Sequence, residues 1–119
     1  MVASGARPAL AQDDCETTAG ARRCLAARLD SAESELRAVL AEARGRAGHP
    51  ALLDSAQAAW RLYVDRDCRA AAAIYSGGSL APVVAQGCRL DHVRMRLRFL
   101  RQDYLSDEPA PGRRTGDST

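Results

Sequence analysis

Four cysteines and one double glycine set the main constraint on this chain. In 119 residues, Cys15, Cys24, Cys68 and Cys88 form an even set with no CxxC motif. Gly77-Gly78 is the only double glycine; Cys68 stands ten residues before position 78 and Cys88 ten residues after it. Glycine enters backbone regions closed to other residues, so such a pair marks a tight reversal. With helices on both sides, the two cysteines fall at equal height on antiparallel neighbours, where a bridge is feasible. The same stretch, 57–88, holds the sole tryptophan, Trp60, and two of the three tyrosines, Tyr63 and Tyr75.

The flanking periodicity is helical. Thr17 or Thr18 can cap a first helix running to about Arg46, and Leu25, Leu29, Ala32, Leu36, Leu40 and Ala43 recur at steps of three and four, one buried stripe. Glu33 before Arg37 and Glu42 before Arg46 can pair one turn apart on its outer face. Gly45 and Gly48 end it, and Pro50 suits the first turn of a second helix reaching about Ile74. Its expected inward stripe is Leu53, Ala56, Trp60, Tyr63 or Val64, Asp67, Ala71 and Ile74, with Asp67 at the edge beside Arg66 or Arg89. A third helix from Ser79 or Leu80 to about Leu105 carries two apolar stripes. Leu90, Val93, Leu97, Leu100 and Tyr104 form one; Val84, Cys88, Met95 and Phe99 form the other. Two stripes predict two neighbours. The expectation is an all-α, three-helix antiparallel bundle over residues 15–105, stapled by two disulfides.

Two pairings suit that bundle: Cys15–Cys24 with Cys68–Cys88, which we favour, or Cys24–Cys68 with Cys15–Cys88. Without CxxC, disulfides are expected rather than zinc, and no metal or cofactor is expected. Disulfides imply an oxidising compartment, periplasmic or extracellular. Ala9-Leu10-Ala11 before Gln12 resembles a signal-peptide cleavage site, so residues 1–14 read as a flexible leader, the remnant of a truncated signal. Residues 106–119, SDEPAPGRRTGDST, read as a disordered polar tail. All seventeen basic residues are arginine, yet fifteen acidic residues leave a net charge of only +2, which argues against a nucleic-acid partner. No apolar run approaches the ~18 residues of a membrane span.

One set of spacings resembles a known family. Cys15-x8-Cys24 leads to Leu29-Asp30. Ala56-Gln57-x-x-Trp60-x-x-Tyr63-x-Asp65-x-x-Cys68 follows, and then Gly77-Gly78-Ser79, Cys88 and an arginine-bearing helix. Over residues 15–100 this is similar to the LprI-like lysozyme inhibitor family of secreted bacterial proteins. The resemblance implies a cell-envelope protein that binds and blocks a lysozyme without catalysis of its own; the alternative is an interaction domain for another envelope protein. It also marks Gln57, Trp60, Tyr63 and Asp65 as a structural motif. Relatives usually carry Arg between the aromatic residue and the aspartate, where this chain has Val64, with Arg66 two places on.

No residue set reads as catalytic. Asp65 and Asp67, two apart on a helix, point in different directions and cannot share a substrate atom; they are expected to pair with arginines such as Arg61, Arg66 or Arg69. His92 has no evident nucleophile and is expected in solvent, and His49 in a loop. Trp60 and Tyr63 are expected in the core, and Gln57 and Asp65 as partners of buried polar groups. Gly77-Gly78 lacks the strand and lysine of a phosphate loop. The expected inhibitory segment is the turn Tyr75-Ser76-Gly77-Gly78-Ser79, compact, hydroxyl-bearing and beside the expected Cys68–Cys88 staple.

Overall fold

The computed structural model describes residues 15–107. The expected leader, 1–14, and all but the first two residues of the expected tail lie outside the described residues. Three α-helices follow one another: α1 Thr18–Arg46, α2 Pro50–Ala73 and α3 Leu80–Leu100, the last running into a π-helical turn, Arg101–Leu105. No strand occurs among the described residues. Both favoured disulfides are formed, Cys15–Cys24 with Cα atoms 5.2 Å apart and Cys68–Cys88 with Cα atoms 5.5 Å apart.

Local chemistry fixes the helix ends. Thr17 Oγ1 accepts from the Gly20 amide at 2.8 Å, satisfying one of the open N–H groups of the first turn. Arg44 and Arg46 in the last turn of α1 complement its negative end. Pro50 occupies the first turn of α2, where its missing N–H and fixed φ cost nothing. Between α2 and α3 the chain reverses through Gly77, at φ +85°, the one positive-φ residue described. A side chain there is strained in open space. Gly77→Ala is therefore expected to lower stability by about 1–2 kcal/mol, read from the shift of a urea unfolding midpoint at unchanged slope.

The core lies mainly between α1 and α3. Ala32, Leu36, Val39 and Ala43 of α1 meet Leu90, Val93, Leu97 and Leu100 of α3, with Leu53 from α2. α2 packs chiefly against α3 and touches α1 least, so the third helix is the central one. Two stripes on α3 do serve two neighbours at its N-terminal half, where residues 81–89 are all half-buried. The second stripe fails further on: Met95 and Phe99 are exposed, at 49% and 56%. The stripe expected on α2 is also too wide. Leu53, Val64 and Cys68 are its buried residues, whereas Ala56, Tyr63 and Ile74 are exposed. With little of α1 to meet, α2 buries a strip one residue wide.

Ion pairs lace the surface. Arg44 holds Asp54 through paired contacts at 3.0–3.2 Å, across the α1–α2 connection, and this keeps the Asp54 carboxyl below its ordinary range and the guanidinium above. Arg101 pairs with Glu35. Glu33 meets Arg61 of α2 at 3.5 Å rather than Arg37. Arg46, expected to pair with Glu42, reaches the Tyr104 and Leu105 carbonyls at 3.4 Å, two carbonyls at the helix C-terminus.

Candidate functional site

The α2–α3 hairpin gathers the chemistry-bearing residues. At its tip, residues 74–80 are exposed without exception. The turn is nevertheless ordered by its own backbone: the amides of Tyr75, Ser76 and Gly78 donate to the carbonyls of Ala72, Ala73 and Tyr75 at 2.9–3.1 Å. The apolar side chains at its shoulders face solvent, Ile74 at 81%, Leu80 at 47% and Tyr75 at 42%. No side chain caps α3 and no acidic residue lies in its first turn, so the positive end of its dipole is not neutralised beside Ser79. The Cys68–Cys88 bridge clips the two helices below the tip.

One step down lies a polar seam. Asp67, expected beside an arginine, instead accepts from His92 Nε2 at 2.7 Å. His92, expected in solvent, keeps only 14% of its side chain exposed. The Tyr63 ring stands edge-on to the imidazole, with centroids 5.3 Å apart, so Tyr63 packs on the surface of the seam and not in the core. Asp67 Oδ2 also lies 3.9 Å from Cys88 Sγ. Asp65 meets Arg69 at 2.7 Å and Arg89 at 3.5 Å. The Arg69 hydrogen bond, with Arg89 adding to it, holds the Asp65 carboxyl below its ordinary range. Each aspartate thus has its own partner, Asp65 an expected arginine and Asp67 a histidine.

Further along, Arg96 donates through Nε to Gln57 Oε1 at 2.9 Å. Its guanidinium lies 6.0 Å from the Trp60 ring centre, with Arg61 5.7 Å from it. Burial pushes the Arg96 pKa down. Trp60 is half-buried against the core. Gln57 and Trp60 therefore hold a cation in the α2–α3 interface.

The family model described as "Lysozyme inhibitor LprI" matches residues 10–100. The chain belongs to the LprI lysozyme inhibitor family. Comparisons with curated proteins and with solved structures find no match. Within the LprI domain the matched region takes in both disulfides, all of α2 and the turn. Val64 is buried, at 5% exposure, and the cations beside Asp65 come from Arg69 and from Arg89 on the facing helix.

The histidine of the seam was within reach of the sequence. His92 follows Cys88 by four residues on one helix, the spacing that places two side chains on one face. Reading the cysteines only as disulfide partners hides that relation. The five turn residues, Tyr75 to Ser79, stand together at the tip, while Gln57, Trp60, Tyr63 and Asp65 belong to the hairpin's flanks.

Proposed function

We propose that this LprI domain binds a peptidoglycan-cleaving lysozyme and blocks its cleft with the turn Tyr75–Ser79, performing no chemistry of its own. The observation that carries the reading is the tip: Ile74, Tyr75 and Leu80 exposed around two serines and two glycines, on a hairpin clipped by a disulfide. A lysozyme cleft presents one protonated and one ionised carboxyl group. Ser76 and Ser79 offer hydroxyl donors, and the uncapped start of α3 offers a positive dipole end to the ionised carboxylate. The apolar shoulders supply area against the walls of the cleft. Because the turn is already ordered, binding sacrifices little chain entropy. A net charge of +2 gives no long-range attraction to a cationic lysozyme, so affinity rests on these short-range contacts. The two disulfides and the family both fit a periplasmic or secreted location.

The test is lysis of a peptidoglycan suspension by a panel of lysozymes with and without the oxidised domain. The domain is expected to slow at least one of them, and Ser76→Glu with Ser79→Glu to abolish the effect at unchanged helicity. Like charge would then face the enzyme's carboxylates. Undiminished inhibition by the double variant moves the site to another surface. If no lysozyme is slowed, the second reading stands: an envelope interaction domain that meets another bacterial protein. Exposed Met95 and Phe99 on α3 favour that reading as the contact face.

A further inference from the structure

The seam below the turn assembles four metal-ligating side chains that the inhibitory reading does not use. Asp67 and Cys68 are consecutive near the end of α2, and Cys88 and His92 lie one turn apart on α3. One ligand atom from each falls within 4.8 Å of every other. Cys68 is fully buried, and Asp67, Cys88 and His92 are half-buried. In the oxidised domain two bonds occupy the centre of this group, the disulfide between the sulfurs and the hydrogen bond between His92 Nε2 and Asp67 Oδ2.

We infer that, with the Cys68–Cys88 bond reduced, this group is a zinc site with two thiolates, one imidazole and one carboxylate. The chemistry balances without any change at the metal. A phosphine reductant takes the oxygen of one water as it loses two electrons, and the disulfide accepts them with two protons to give two thiols. Zinc then binds the two sulfurs as thiolates, releasing those two protons. The ion takes the place of the proton that Nε2 now donates to Oδ2; that proton is carried on Nδ1 once the imidazole changes tautomer, so no third proton is released, and the nitrogen and oxygen ligands already converge on one point. A tetrahedral zinc site with Zn–S near 2.3 Å separates its sulfurs by ~3.8 Å, a span that side-chain rotation reaches from helices already held 5.5 Å apart at Cα. Thiolate and imidazole donors select zinc-like ions over magnesium or calcium. The same hairpin is thus clipped by a covalent bond when oxidised and by a metal when reduced.

The full chain, reduced with a phosphine in oxygen-free buffer, is titrated with cobalt(II) as the spectroscopic probe and then with zinc. One equivalent of cobalt is expected to give a thiolate-to-cobalt charge-transfer band and the visible bands of a four-coordinate ion, both erased by zinc. Cys15→Ser with Cys24→Ser should keep the signal; Cys68→Ser with Cys88→Ser should remove it. His92→Ala and Asp67→Asn should each weaken binding on the order of tenfold or more, and both can be verified as folded in the oxidised state. Zinc should also raise the melting temperature of the reduced chain. The inference is overturned by a reduced chain with no cobalt band. It is equally overturned by affinity that ignores His92 and Asp67, or by a reduced chain that zinc neither binds nor restores to its helical state. None of these readouts involves lysozyme, so the outcome is separable from the inhibitory reading.

Discussion

Cys68→Ser combined with Cys88→Ser is expected to lower the melting temperature by roughly 12–24 °C, from a loss of about 3 kcal/mol in a domain of this size. The cysteines are 20 residues apart in sequence, and in the chain-entropy account a loop of that length makes the unfolded ensemble poorer by about that amount. The whole stability of such a domain is roughly 5–15 kcal/mol, so this bridge is a large part of it. α2 depends on the bridge more than the other helices do. Its contact with α1 is slight, and its buried residues are only Leu53, Val64 and Cys68 itself. Cys15→Ser with Cys24→Ser should cost less, because that bridge closes only nine residues and ties a short segment to the first turns of α1. The measurement is thermal unfolding by far-ultraviolet circular dichroism, without reductant and with a chelator present. Equal melting temperatures for the two double variants would refute the claim that the hairpin bridge is the dominant staple.

How far the sequence foretold this arrangement differs from helix to helix. The stripe on α1 was legible because Leu36 and its neighbours keep the helical period against a charged face, although its buried member between Leu36 and Ala43 is Val39, and Leu40, expected there, is only half-buried. The reversal was legible because only glycine tolerates its backbone at position 77. The inward face of α2 was not. Tyr63 and Val64 are adjacent, and in an alanine-rich helix either can head a stripe. The choice fell to Val64 because α2 meets chiefly one neighbour, a tertiary fact that periodicity does not encode. The Asp67–His92 contact joins two helices at a height set by the turn. It could be anticipated only by carrying the equal-height argument for Cys68 and Cys88 one turn further along α3. The turn proposed to meet a lysozyme has still less signature, since a binding tip need satisfy only its partner and its own backbone.

Leu36→Ala, in the middle of α1, is expected to cost about 3–5 kcal/mol. Leu36 and Leu100 are fully buried, one from each of the two helices that form most of the core, so the lost side chain is replaced by a void that rigid neighbours on α1 and α3 cannot close. Phe99 supplies the contrast. It is larger, it adjoins Leu100 in sequence, and it was grouped with a buried stripe by periodicity, yet it is 56% exposed. Removing a ring that water already reaches forfeits far less, about 1 kcal/mol or below, because only the covered part of its surface contributes. The two variants, compared by urea unfolding at 25 °C, therefore test the rotation of α3 about its own axis. A Phe99→Ala cost equal to that of Leu36→Ala would mean that Phe99 is covered in solution. The covering surface would have to come from outside the described residues or from a partner, and α3 would then be an interface helix as well as the centre of the bundle.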